Sequence, residues 1–272
     1  MRKIGFYLAL VLLIPPPAFA QMNAMGARPI TTGEMDAFLQ KQMQELGMPG
    51  LSIAVINHGR VVYHRALGVI SLETKQPVDE QTVFEAASLS KPVFAWLVMR
   101  MVDQGRLNLD TPLYRYLPYP DIEQDGRYKL ITARMALSHQ TGFPNWRYFE
   151  MADPSLHIPY GQLYLKFTPG TSYAYSGEGY HYLAQVIAHL NGGDLKTLND
   201  VFEREEAEPP GMEHAWFTGN SYLSAHMATG HKNGKVAYKA WPTSFPGRIP
   251  QHLAQPAACI PTRYRMPISL QH

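Results

Sequence analysis

Ser88-Leu89-Ser90-Lys91 is the tetrapeptide in this 272-residue chain whose residue types and spacing could do chemistry. A serine hydroxyl is a poor nucleophile at neutral pH and needs a base within hydrogen-bond reach. Positions i and i+3 of a helix share a face, so Lys91 can bring its amine beside the Ser88 hydroxyl. An apolar helix start disfavours a charged amine, which makes Lys91 a candidate base. The same helix start would present backbone N–H groups where an oxyanion develops. The pattern is short, and it also fits a capping serine followed by a surface lysine.

Other nucleophile chemistries find less support. His139 and Glu178 could complete a Ser-His-acid arrangement, but a lone histidine before Thr141-Gly142 is more often a structural turn residue. There is no G-x-S-x-G elbow. The 11 histidines and single cysteine show no CxxC, HExxH or other metal-ligand spacing, and no cofactor is expected.

The elements that must hold Ser88 and Lys91 can be read around them. Thr31 or Thr32 caps a helix over about 34–46, with Met35, Phe38, Leu39 and Met43 on one face, and Gly47 and Pro49-Gly50 end it. Residues 51–56 and 61–67 read as strands joined by His58-Gly59, a hairpin. Ser90 to Gln104 reads as a helix whose apolar stripe (Val93, Phe94, Leu97, Val98, Met101, Val102) is wide enough to predict burial, and Gly105 ends it. A helix is predicted over 133–138 and another over about 179–190, with proline- and glycine-rich loops at 118–125 and 144–159. No internal repeat or low-complexity segment is present. A hairpin opening a helix- and loop-rich chain predicts the α/β or α+β class.

Several segments together carry a family resemblance. Phe84-Glu-Ala-Ala-Ser-Leu-Ser-Lys91-Pro92 with its long apolar helix, Gly105-Arg-Leu-Asn-Leu-Asp-Thr-Pro112, Leu137-Ser-His-Gln-Thr-Gly142-Phe-Pro144, and Phe167-Thr-Pro-Gly-Thr171 followed by Tyr173-Ala-Tyr175-Ser-Gly-Glu-Gly-Tyr180 resemble the β-lactamase-like serine hydrolases. These include β-lactamases, penicillin-binding proteins, D-alanyl-D-alanine carboxypeptidases and esterases. The resemblance runs from about residue 34 to 258. It implies an antiparallel sheet flanked by helices plus a mostly helical region. It makes Ser88 the acylated nucleophile and Lys91 its helper. Tyr175 matches the tyrosine of the family's Tyr-x-Asn motif, with a role in proton transfer between the Ser88 hydroxyl and the leaving group; Tyr173 and Tyr180 flank it as alternatives. Ser90 has no assigned role.

The sequence departs from the family at Gly177, a substrate-binding position where an asparagine amide usually holds the acylamino arm of the substrate. Glycine offers no amide, which favours ester or peptide substrates over β-lactams. The family also has a downstream strand with a Lys/His-Thr/Ser-Gly triplet, which supplies the second oxyanion N–H and is not found in the 184 residues (272 − 88) after Ser88. The C-terminal strands are therefore expected to be missing, with an incomplete domain over 21–258 and an aberrant tail over 259–272. On that reading the 272-residue chain is poorly soluble and essentially inactive, a truncated relative, binding protein or non-functional fragment of an enzymatic lineage.

The N-terminus reads as an address. Arg2 and Lys3 precede the apolar run Ile4 to Ile14, Pro15 to Pro17 break it, and Ala18-Phe19-Ala20 suits a signal peptidase, so the protein is expected to be secreted or periplasmic and to begin at Gln21. The run is too short to span a bilayer, so no stable membrane anchor is expected after cleavage. Removing 1–20 leaves 22 Lys+Arg (24 − 2) against 22 Asp+Glu, a balance with no electrostatic pull towards nucleic acid. The expected partner is a small-molecule or peptide substrate. The remaining residues are enough for a sizeable core, and the lone Cys259 allows no internal disulfide.

Overall fold

The computed structural model describes residues 22–23, 28–148, 155, 157–207, 215–238 and 259–261. The expected leader at 1–20, residues 262–272 of the tail and part of the 144–159 loop lie outside them. The described chain forms two compact units, one of residues 1–48 and 52–65, the other of 49–51 and 66–272.

In the first unit the short strands β1 (Met22–Asn23) and β2 (Pro29–Ile30) pair antiparallel ahead of α1 (Thr32–Leu46). The start of α1 is fixed by a capping box. Thr31 Oγ1 accepts the Glu34 N–H at 3.2 Å, and a Glu34 carboxylate oxygen accepts the Thr31 N–H at 2.9 Å. Gly47, at φ +62°, closes the helix in the left-handed conformation that costs glycine nothing. Of the apolar face expected for α1, Leu39 is buried and Phe38 is exposed. Strands β3 (Gly50–Asn57) and β4 (Arg60–Gly68) form the expected hairpin, each about a residue longer at both ends than the pattern suggested. Asp36 on α1 accepts from Tyr63 at 2.5 Å and from Arg65 at 2.9 Å on β4. Burial and this carboxylate push the Tyr63 phenol up to about 12.

The second unit carries the large core. Strand β5 (Val83–Glu85) leads into a 3-10 turn, Ala87–Leu89, and then α2 (Ser90–Asp103). Helix α3 (Ala133–Leu137), capped by Thr132, and α4 (Gly177–Leu190) follow, then the short α5 (Leu198–Phe202) and α6 (Ser221–His226). Strands β6 (Gly230–Lys232) and β7 (Lys235–Tyr238) form a second hairpin, and β8 (Cys259–Pro261) pairs antiparallel with β5. The described strands make four antiparallel pairs; no third strand joins β3 and β4 among them. Antiparallel pairs among helices match the α+β class expected.

Helix α4 is the centre of this unit. Every residue from Gly177 to Ala188 except Gln185 is buried. Its tyrosines are tolerated inside because their hydroxyls find carbonyls: Tyr182 donates to Leu117 O at 2.7 Å and Tyr180 to Leu137 O at 3.1 Å. Tyr182 also stacks on Tyr119 at 4.2 Å. Helix α2 packs one face, Phe94, Leu97, Val98 and Met101, into the same cluster. It is not buried all round as its stripe predicted: Trp96 and Met99 are exposed. Apolar residue types do not specify which side of a helix a neighbour will cover.

Candidate active site

Ser88 sits on the 3-10 turn just before α2, and Lys91 on the first turn of α2 itself. The i, i+3 relation survives this change of helix type: Lys91 Nζ donates to Ser88 Oγ at 3.0 Å. Ser88 is exposed, and the residue before it, Ala87, has φ +45°, a conformation a side chain adopts only under strain. Ser90 points elsewhere, donating to Ala87 O at 2.6 Å, which anchors the turn from inside. Lys91 is half-buried rather than sealed in an apolar pocket.

Tyr175 arrives from the other side, one residue ahead of the N-cap of α4. Its hydroxyl hydrogen-bonds with both Lys91 and Ser88. Lys91 Nζ also lies 4.8 Å from the centre of its ring and 5.5 Å from that of Tyr180. Burial pushes the Tyr175 phenol up, but the hydrogen bonds with Lys91 and Ser88 and the lysine charge outweigh it, so it titrates below its usual range. The two alternatives behave differently. Tyr180 is buried with its hydroxyl on Leu137 O, and Tyr173 is largely exposed. Ser88, Lys91 and Tyr175 therefore converge, giving a hydroxyl, an amine and a phenol in one hydrogen-bonded group.

The loop after α3 builds the support for Tyr175. Gly142, at φ +82°, lets the chain pass so close to the Phe167 carbonyl that a Cβ would lie 2.4 Å from it. Gly170 N–H then donates to Gln140 O at 2.9 Å, and Ala174 N–H to His139 O at 3.0 Å. Ser176 caps α4: its Oγ accepts the Gly179 N–H and donates to Pro144 O, both at 2.9 Å. Asn145, Trp146 and Arg147, which the sequence reading did not single out, complete this wall. The signal available was only their place directly after Phe143-Pro144.

Gly177 does not face an open pocket. Its N–H donates to Asn145 O and Oδ1, both at 3.0 Å. A Cβ built on it would meet Trp146 Cε2 and Cζ2 at 2.6 Å and Asn145 O at 2.8 Å. The indole occupies the space a side chain at 177 would need. Glu178 is likewise engaged elsewhere, paired with the buried Arg147 at 2.8 Å, which removes it from any Ser-His-acid arrangement. Among the described residues no group of three or more His, Cys, Asp or Glu could hold a metal ion, and no helix is long and apolar enough to cross a membrane.

This chain is similar to known proteins in sequence and in fold. The sequence model of the family described as Beta-lactamase matches residues 35–252. The chain is 28% identical over 204 residues to Esterase EstB of Burkholderia gladioli, covering 67% of this chain and 50% of that one. It is 24% identical over 208 residues to Protein flp of Staphylococcus aureus strain MW2, covering 73% and 41%. The chain thus spans about half the length of the curated relatives it matches. Among solved structures it is similar to a class C beta-lactamase (TM-score 0.62, 23% identity, 83% of this chain and 60% of that one). It is also similar to the octameric penicillin-binding protein homologue from Pyrococcus abyssi (TM-score 0.65, 22% identity, 86% and 54%). The fold is that of the β-lactamases and penicillin-binding proteins.

Proposed function

The chain belongs to the beta-lactamase family, and on that footing we propose that it is an exported serine hydrolase that forms an acyl-enzyme at Ser88 and prefers esters to β-lactams. The observation that carries the chemistry is the single hydrogen-bonded group of Ser88 Oγ, Lys91 Nζ and the Tyr175 hydroxyl. Ser88 Oγ attacks the substrate carbonyl and its proton passes to Tyr175, as phenolate, or through Lys91. The tetrahedral intermediate collapses, the C–O bond to the leaving alcohol breaks, and the same proton is returned to that alkoxide. Water repeats the attack on the acyl-enzyme, with proton transfer to the same groups, and frees Ser88. Backbone N–H groups at the start of α2 serve as oxyanion donors.

The preference for esters rests on Gly177 and Trp146. An acylamino arm needs an amide at 177, and the sequence has none; the indole leaves no room to add one. The relative from Burkholderia gladioli is an esterase by name, in keeping with this reading. Steady-state assays should show p-nitrophenyl esters turned over faster than penicillins, and the opposite ranking would defeat the ester assignment. Gly177→Asn should not reverse the ranking, because its side chain must displace Trp146 and the Asn145 backbone. Overpacking of this kind costs about 1–3 kcal/mol, to be read from a melt.

Export follows from the leader sequence. Mature protein recovered from the periplasm or medium should begin at Gln21, and exported material beginning at Met1 on N-terminal sequencing would rule cleavage out.

A further inference from the structure

His139 contacts Tyr175 and both of its chain neighbours. Its carbonyl accepts the N–H of Ala174, the residue before Tyr175, at 3.0 Å. Its ring Nδ1 accepts the N–H of Ser176, the residue after Tyr175, also at 3.0 Å. Its ring lies against the Tyr175 ring, centroids 4.3 Å apart and planes inclined by 35°. One residue therefore holds the backbone on both sides of the phenol and limits where its ring can go. Its own backbone turns through φ +59°, the left-handed region, as it reaches both N–H groups.

We infer that His139 is a positioning residue for Tyr175, a clamp that works only while Nδ1 carries a free lone pair. This rests on the proposed role of Tyr175 at Ser88. A backbone N–H can donate to Nδ1 only in the neutral ring, so the proton of the neutral form sits on Nε2. Protonation turns Nδ1 from acceptor to donor, sets two donors face to face, and releases the Ser176 side of the clamp. The titratable groups facing the ring are Lys91 from α2, Tyr180 from α4, and Tyr173 and Tyr175 from the segment before α4. Burial and the Lys91 charge hold the ring's titration below the usual histidine range. The sign follows: a depressed pKa keeps the clamp intact at neutral pH and releases it only as pH falls through that lowered value.

Two variants test this. Asparagine accepts a left-handed backbone, and its Oδ1 can take the Ser176 N–H without titrating. Alanine keeps neither the acceptor nor the ring. Each variant is expressed as the full chain, and the phenol of Tyr175 is titrated by near-ultraviolet difference against the matching Tyr175→Phe protein. Acylation of Ser88 by a fluorophosphonate is followed over the acid and neutral range. His139→Ala should raise the Tyr175 phenol towards its ordinary value and slow acylation by about 10–100-fold, as expected when a reacting group drifts by about 1 Å. His139→Asn should keep neutral acylation close to wild type and lose the acid limb seen in wild type. A Tyr175 titration and an acid limb that are unchanged in both variants would overturn the clamp. If His139→Ala does not fold, the acid limb of His139→Asn decides alone. Wild-type protein that is not acylated at Ser88 defeats the hydrolase reading instead, and the phenol titration, which needs no turnover, still judges the clamp.

Discussion

Ser88→Ala is expected to abolish covalent labelling by a fluorophosphonate. The argument is local. Ser88 lies exposed on a strained turn with an amine 3.0 Å from its oxygen. Ser90, the other hydroxyl of the tetrapeptide, is buried and committed to Ala87 O. Removing the Ser88 hydroxyl takes away the exposed serine oxygen that the group activates. Lys91→Ala and Tyr175→Phe remove proton-transfer partners rather than the nucleophile, so each should slow acylation by about 10²–10⁴-fold. The two effects should not add, since Lys91 and Tyr175 share hydrogen bonds with one oxygen. Labelling that persists in Ser88→Ala would mean another nucleophile. Labelling is the sharper readout than turnover. It asks only whether Lys91 and Tyr175 activate Ser88, whereas turnover draws on the whole site, and the match covers only 50% and 41% of the two curated relatives.

The chemistry was more legible than the support beneath it. Ser88 and Lys91 are three residues apart on a continuous helical path, so their meeting follows from sequence spacing even though a 3-10 turn changes to an α-helix between them. Caps were legible for the same reason: Thr31 with Glu34, and Thr132, act within three residues of themselves. Helix α4 starts at Gly177, two residues ahead of the start the sequence suggests. What starts it at 177 is the Ser176 cap together with the Asn145 carbonyl, which takes the N–H groups of Gly177 and Glu178 from 32 and 33 residues back along the chain. Helices α5 and α6 are too short to show a period. The pairing of β8 with β5 joins Pro261 to Val83 across most of the chain and left no local trace. His139 was visible as a residue type but not as a clamp, because its role depends on a positive φ and on N–H groups that arrive from 35 and 37 residues away.

Arg147→Ala should be the most destabilising single change at this site, by about 3–5 kcal/mol, the usual cost of stripping one partner from a buried ion pair. The Arg147 side chain is 4% exposed and that of Glu178 1%. Arg147 donates to both Glu178 oxygens, from Nε at 3.0 Å and Nη2 at 2.8 Å, and its backbone N–H adds a third bond at 3.1 Å. Nη1 reaches Asp121 at 2.6 Å, and Nη2 also reaches the Tyr119 hydroxyl at 3.0 Å. Every bond joins the loop after Pro144 to α4 or to the Tyr119–Asp121 turn. Burial alone disfavours the guanidinium's charge, but these partners outweigh it and hold its titration above the usual range. With alanine at 147 the carboxylate stays buried without its cation, and the melting temperature should fall by about 6–20 °C for a chain of this size. A double replacement, Arg147→Met with Glu178→Leu, removes both charges together and should recover most of the loss, because the buried pair itself contributes little net stability. Equal melting temperatures for the alanine variant and wild type would show that water reaches the pair. The carboxylate also sits in the first turn of α4, two residues from the Ser176 cap that follows Tyr175. Loss of the ion pair should therefore loosen the phenol as well as the fold. That loosening should appear as slower Ser88 acylation at temperatures where the variant is still folded.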